Sequence, residues 1–384
     1  MKFFTFTILI CTGLFSSGRF SEFEWAQEKW TRSQLEEKLG RYLQKDGRVG
    51  SFFTLTDESL TLYDAPETER NRSVDFCLRL LKGKRGALKR EKKKSLVGVK
   101  IALDPGHLGG LFARLEERYI DIPPSLERKE GIQFDEGTLS FLTALYLKIL
   151  LEKEGAIVMI TRDKIGQGVY QESFFDWLKK NPSLWSGQGS LKSLFRRFYN
   201  PLDLRARAEK INAFQPALSV VLHYNSHHVE EEYSSNNCVS SKNYNLVFVP
   251  GGFCRNELVE EDSRYEFMRL LVTEDLEESR RLSRCILDAF NKKLSVPVVE
   301  NSDGASYLDK VCLAVEKGIY ARNLALTRLI HGPVCYGETL IQNNIDECLN
   351  LARKDFVIGG IECSSRIKEV AEAYFEGIQR YLLP

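Results

Sequence analysis

Charge of one sign is what this 384-residue chain most clearly lacks: 54 Lys and Arg stand against 53 Asp and Glu, a formal net charge of +1. That balance excludes a global pull toward nucleic acid or an anionic membrane, so electrostatic recognition must be local. Long apolar runs are missing after residue 15, which excludes a membrane span in the body of the chain. The nine cysteines contain no C-x-x-C pair and no zinc-ribbon spacing, so they read as structural and not as metal-binding or catalytic. There are no internal repeats and no repeat-type wall-binding module, and only five histidines.

What is present starts with MKFFTFTILICTGLFSSG: one Lys, an apolar run from Phe3 to Phe15, then Ser16, Ser17 and Gly18. This reads as a secretory signal peptide over residues 1–20, the run being shorter than the roughly 20 apolar residues of a span. A lipid anchor on Cys11 is disfavoured by the bulky Leu9 and Ile10 before it. The expected location is therefore the periplasm or cell envelope. There the other cysteines, Cys77, Cys238, Cys254, Cys285, Cys312, Cys335, Cys348 and Cys363, are permitted but not required to form disulfides.

The remainder, 43% hydrophobic and 28% charged over the whole chain, has ordinary globular composition. Residues 21–81 form an N-terminal region of no assignable role, helical over 30–43 and strand-like over 52–62. Residues 82–96, containing KGKRGALKREKKK, read as a basic linker. From residue 97 strands and helices alternate. VKIALD is a strand; Leu139, Leu142, Tyr146, Ile149 and Leu150 form one helix face; Gly155 ends that helix, and AIVMIT is the next strand. Further on come a helix over 204–214, strands over 218–222 and 245–249, a charged helix over 274–293, and PVCYGETL. A closing helix, capped near Ser364 or Ser365, carries the stripe Ile367, Val370, Tyr374, Ile378 and Tyr381. The fold class expected is α/β: a mostly parallel twisted sheet flanked by helices on both faces, with a small N-terminal extension. Two insertions, 108–135 and 164–200, exceed the usual connections of such units, and long loops tend to be functional.

In an open α/β sheet ligands gather at the carboxyl ends of strands, so polar residues there are the ones to inspect. LDPGH places His107 after the first strand, VVLHYNS places His223 after another, and PVCYGE ends at Glu338. Two histidines and a carboxylate are the minimum protein ligand set for a catalytic zinc. Glu136, in FDEGTL at a helix start, supplies the carboxylate, with Asp135 as competitor. A further carboxylate is needed to move a proton from water to the leaving group, and Glu338 is placed for it.

At these residues the chain resembles the zinc-dependent N-acetylmuramoyl-L-alanine amidase family. The matching segments are IALDPGHLGG, EGTLSFLTALYLKILLEKEGAIVMITRD, RAEKINAFQPALSVVLHYNS and ARNLALTRLIHGPVCYGETLIQNN, with AYFEGIQRYL similar to the closing helix. They occur in the family's order across residues 97–383. The resemblance implies a catalytic domain over 97–384 in which His107, Glu136 and His223 bind zinc and Glu338 is the general base. It also implies hydrolysis of the amide between N-acetylmuramic acid and L-alanine in peptidoglycan, in cell-wall degradation or division. Arg207, Asn212 and Asn225 match recurrent positions and read as supporting residues. Departures are Val221 and Ala217, where serine and aspartate are common, and the long interval from His107 to Glu136, which leaves Asp135 or Glu130 as competing ligands. His227, His228 and His331 have no counterpart and read as surface or loop residues. The 164–200 insertion is either a packed helix or a lid engaged by an activator protein, with Glu172 or Asp176 as carboxylates able to occupy zinc's open position. Two other readings stand beside this one, a zinc peptidase of the stem peptide and a non-catalytic wall-binding protein.

Overall fold

The computed structural model of the protein describes residues 18–83, 86, 92–126, 128–185, 189–227, 239–300 and 305–384. Residues 1–17 of the expected leader, and residues 84, 85 and 87–91 of the basic stretch, lie outside the described set.

Chain order explains the architecture. A helix with a capping box at Thr31 and Gln34, α1 (Arg32–Lys38), is followed by β1 (Phe53–Leu55), β2 (Ser59–Tyr63) and β3 (Val74–Arg79), an antiparallel sheet of their own. β4 (Lys100–Pro105) opens the main sheet. In the first insertion β5 (Tyr119–Ile122) pairs antiparallel with β6 (Ile132–Asp135), which runs directly into α2 (Glu136–Lys153) and then β7 (Ile157–Ile160). The second insertion holds α3 (Phe174–Lys180). Then follow α4 (Asn200–Phe214), β8 (Leu218–Asn225), β9 (Leu246–Val249), α5 (Glu261–Val272), α6 (Asp275–Leu294), β10 (Leu313–Glu316), β11 (Ile319–Ala321), α7 (Ala325–Leu329), β12 (Val334–Ile341) and α8 (Ser365–Leu382).

Seven strands form the central sheet in the order β10-β11-β9-β12-β8-β4-β7. β12, β8, β4 and β7 run parallel to one another, and β11 is parallel to β9; β9 meets β12, and β10 meets β11, antiparallel. The fold is thus the mostly parallel α/β sheet that the alternating pattern implied. Period-two alternation sorts its side chains. Ile101, Leu103, Val220 and Leu222 pack with α2, α6 and α8 through Leu139, Leu147, Ile286, Val370 and Ile378. Ala102, Val221 and Val334 pack on the other face with Ala208 and Ile211 of α4 and Leu326 of α7. Each fully buried large aliphatic side chain contributes roughly 1.5–3 kcal/mol, so burial on both faces holds the strand ends at fixed depth. Gly337 permits the tight seat of α8, since a Cβ there would fall 2.1 Å from the Tyr374 hydroxyl.

Residues 18–81 pack onto this body and share its core. The Phe20 and Phe23 rings lie 6.0 and 4.8 Å from Tyr265 of α5, the Trp30 indole donates to the Val272 carbonyl, and the buried Lys38 ammonium donates to the Leu271 carbonyl. The helix α5 that receives them is not foreshadowed by the sequence pattern: nine of its twelve residues are buried, so no polar face marks its period. The described cysteines, Cys77, Cys254, Cys285, Cys312, Cys335, Cys348 and Cys363, are free thiols. Among the described residues no helix is long and apolar enough to cross a membrane.

Candidate metal centre

The parallel neighbours β4, β8 and β12 deliver their carboxyl ends to one edge of the sheet. Register pairs Pro105 with Leu222 and Glu338 with His223, so the three expected positions meet there. β12 does not stop at Glu338 but runs on to Ile341 through a bulge, with Leu340 at φ +57°. β4 hands over to Gly106 and then to His107, which sits in the left-handed region at φ +54°, a conformation that concentrates at functional sites. Gly106 is required by space: a Cβ there would lie 2.3 Å from the His223 ring. Gly106→Ala is therefore expected to displace that ring and weaken metal binding on the order of 10–100-fold, the range for disturbing groups that orient metal ligands. A zinc titration of the purified variant reads it.

Glu136 is the first residue of α2. Asp135 caps that helix, its carboxylate accepting from the Thr138 amide and hydroxyl, both at 2.8 Å, and it is not part of the cluster of candidate ligands. Glu130 is exposed on the preceding loop. Glu136 is 2% exposed, and its Oε1 lies 2.8 Å from His223 Nδ1 and 3.4 Å from His107 Nε2. Ligand atoms of His107, Glu136 and His223 all fall within 4.8 Å of one another, the one such group of three among the described residues. Two imidazole nitrogens and a carboxylate oxygen converging in a buried pocket match the donor chemistry of a catalytic zinc.

Other residues fix each donor. Glu116, from the first insertion, approaches His107 Nδ1 at 3.4 Å while accepting from the Leu108 and Gly109 amides, leaving Nε2 to face the cluster. The Tyr224 amide donates to Glu136 Oε1 and the Gln342 side chain to Oε2, at 3.3 and 3.0 Å. The His223 ring stacks on Tyr336 at 4.5 Å. Burial opposes charge on His107, but Glu136 and Glu116 outweigh it and push the imidazole up to about 9. Burial also opposes the charge of Glu136, yet His107 and His223 hold it well below the usual carboxylate range. Burial keeps His223 low. Glu338, across the same cavity of about 430 Å³, is pushed up to about 8 by burial and then by the charge of Glu136.

Beneath the site, Arg162 donates to the Pro105, Gly106, Leu108 and Gly137 carbonyls, tying the His107 loop to the start of α2. Arg207, 2% exposed, donates to the Pro105 carbonyl at 2.9 Å and lies 2.7 Å from Asp203 and 3.5 Å from Asp104. Arg207→Met would take from buried Asp203 and Asp104 the guanidinium that touches them, leaving only the more distant Arg162, a change worth about 3–5 kcal/mol. Denaturant unfolding should show that loss. Asn212 links α4 to the loop after α7, donating to the Leu329 carbonyl and accepting from the His331 amide. Asn225 lines the cavity and accepts from the Ser226 amide, while its buried Nδ2 meets no hydrogen-bond partner among the described residues.

Not every expected residue arrives. Glu172 pairs with Lys180 at 2.8 Å and Asp176 with Lys179 at 3.0 Å, so neither carboxylate of the second insertion stands at the cluster. The insertion instead builds a small core beside the site from Phe174, Trp177, Leu178, Phe195 and Tyr199 against Leu108. His227 contacts Tyr244, His331 is exposed beside Glu266, and His228 lies outside the described residues. Glu116, Arg118, Arg322, Tyr336 and Gln342 are the contributors that pattern reading passes over. Only the length of the first insertion hints at Glu116, and only the position of Gln342 just past Glu338 hints at that residue.

No protein-family model and no curated protein matches the chain. Solved structures similar to it include amidases, several of them described as N-acetylmuramoyl-L-alanine amidases. The CwlD amidase of Clostridioides difficile, in complex with the GerS lipoprotein, is 18% identical over 74% of this chain and 98% of its own, at a TM-score of 0.42. Ami1 of Mycobacterium smegmatis is 14% identical over 75% and 99%, at 0.43. The CwlV catalytic domain of Bacillus (Paenibacillus) polymyxa is 15% identical over 74% and 98%, at 0.40.

Proposed function

We propose that this chain is an exported, zinc-dependent N-acetylmuramoyl-L-alanine amidase of the cell envelope, cutting the amide between the lactyl group of N-acetylmuramic acid and the L-alanine of the stem peptide. The observation that carries the reading is the convergence of His107, Glu136 and His223 on one buried point with Glu338 across the cavity. The four-segment sequence resemblance supplies the substrate.

In this reading His107, Glu136 and His223 hold zinc, which when bound supplies Lewis-acid polarisation of the scissile carbonyl and acidification of water. Glu116 keeps the His107 ring turned inward, Gln342 and the Tyr224 amide keep the Glu136 carboxylate in place, and Tyr336 backs the His223 ring. Glu338 removes a proton from the attacking water and carries it to the nitrogen of the departing L-alanine. Glu338 lines the same cavity as the three proposed ligands, where a carboxylate can take the proton and hold it between the two halves of that transfer. Exposed Phe175, Trp185 and Phe198 on the second insertion support an activator docking there.

Mass analysis of purified peptidoglycan after digestion tests the reaction. Released peptides that begin with L-alanine, with glycan strands left bearing free lactyl carboxyls, are expected. Fragments cut inside the stem peptide would make the chain a zinc peptidase, and no cleavage in the presence of zinc would favour a wall-binding protein.

A further inference from the structure

Arg322 lines the same cavity as His107, Glu136, His223 and Glu338. Its guanidinium makes no hydrogen bond or ion pair with any described residue. Buried Arg207, Arg264, Arg269 and Arg366 each reach a carboxylate, and Arg162 spends its donors on backbone carbonyls, whereas those of Arg322 stay open. It is nevertheless held in place. Its ζ-carbon lies 4.8 Å from the Tyr307 ring centroid and 5.1 Å from that of Phe248. Its amide donates to the Val249 carbonyl, and its carbonyl accepts from the Leu324 amide and the Thr327 hydroxyl. A guanidinium ordered by two aromatic faces and left with open donors is set for a planar anion, and little side-chain freedom remains to be lost on binding. The other arginine of the cavity, Arg118, is already engaged, with Nε 3.6 Å from Glu136 and Nη1 donating to the Glu117 carbonyl.

We propose that Arg322 is a specificity residue that binds a carboxylate on the peptide side of the scissile amide, so that the site selects acidic stem peptides over their amidated counterparts. The proposal rests on the amidase reading for the identity of that peptide. A carboxylate meets the fork of guanidinium donors with two charge-assisted hydrogen bonds, whereas a carboxamide offers one neutral acceptor and an amino group that points donor at donor.

The test is equilibrium binding, by calorimetry, of N-acetylmuramoyl-L-alanyl-D-glutamate and of the same compound with both glutamate carboxyls amidated. The full chain is used with a chelator present, so that neither turnover nor direct metal ligation contributes. The acid is expected to bind about tenfold tighter or more. Arg322→Gln should bring the two within about twofold, and Arg322→Lys, which keeps the charge without the fork, should fall between. Equal affinity of the wild-type chain for acid and diamide overturns the proposal without any variant. So does a preference that survives in folded Arg322→Gln, or no binding of either compound. Peptide release from whole peptidoglycan decides the underlying reading separately. A chain that hydrolyses the muramoyl amide yet binds both probes alike loses only the role of Arg322, and one that fails to hydrolyse but prefers the acid through Arg322 keeps it.

Discussion

Glu338→Gln is expected to retain bound metal and to lose turnover on peptidoglycan by about 10²–10⁴-fold, the range that a positioned proton-transfer group contributes. The substitution is isosteric, and Glu338 makes no ligand contact within the His107, Glu136 and His223 group, so the fold and the donor set should persist. What disappears is the oxygen that takes a proton from water and returns it to the leaving nitrogen. Removing a carboxyl that burial and Glu136 already disfavour as an anion should also leave thermal stability unchanged or slightly raised. Steady-state hydrolysis with metal analysis on the same preparation separates this outcome from trivial loss of the site. Turnover near wild type would remove Glu338 from the mechanism.

His107→Ala should behave in the opposite way, losing metal and activity together. The wild-type chain is expected to carry about one zinc ion, and the variant close to none, because two remaining protein donors fall short of the three that catalytic sites use. A second effect is structural. Glu136 is buried and held ionised largely by His107, so the metal-free variant keeps a buried carboxylate with one imidazole fewer. Elemental analysis of purified protein, with a melting curve beside it, reads both. A variant that still holds a full equivalent of zinc would move the metal away from His107.

Much of this site is legible in the amino-acid sequence. Strand ends after apolar runs identify His107, His223 and Glu338, because parallel neighbours must deliver their carboxyl ends to the same edge, and β4, β8 and β12 are such neighbours. Glu136 follows from a helix start, with Asp135 left as its competitor by the sequence and found capping that helix in the structure. The groups that orient these donors are much harder to read. Glu116 ends a single helical turn, Ala113–Glu116, too short for periodicity to mark a residue as inward, and its role depends on the chain folding back so that the Leu108 and Gly109 amides and His107 meet one carboxylate. Gln342 depends on β12 running past Glu338 through a bulge, which an apolar-run criterion cuts short. Arg322 follows a three-residue strand that runs against β12, too short to announce itself by alternation. The second insertion is legible from its length but not in its role, since Glu172 and Asp176 are drawn off by nearby lysines and its aromatic rings close on one another.

Chelation and zinc reloading during digestion of purified peptidoglycan test the account most directly. The wild-type chain should release peptides beginning with L-alanine, stop when a chelator is added, and resume at the same bond when zinc is restored in excess. Release of the same peptides that continues undiminished in chelator, from protein shown by elemental analysis to be free of metal, would contradict it.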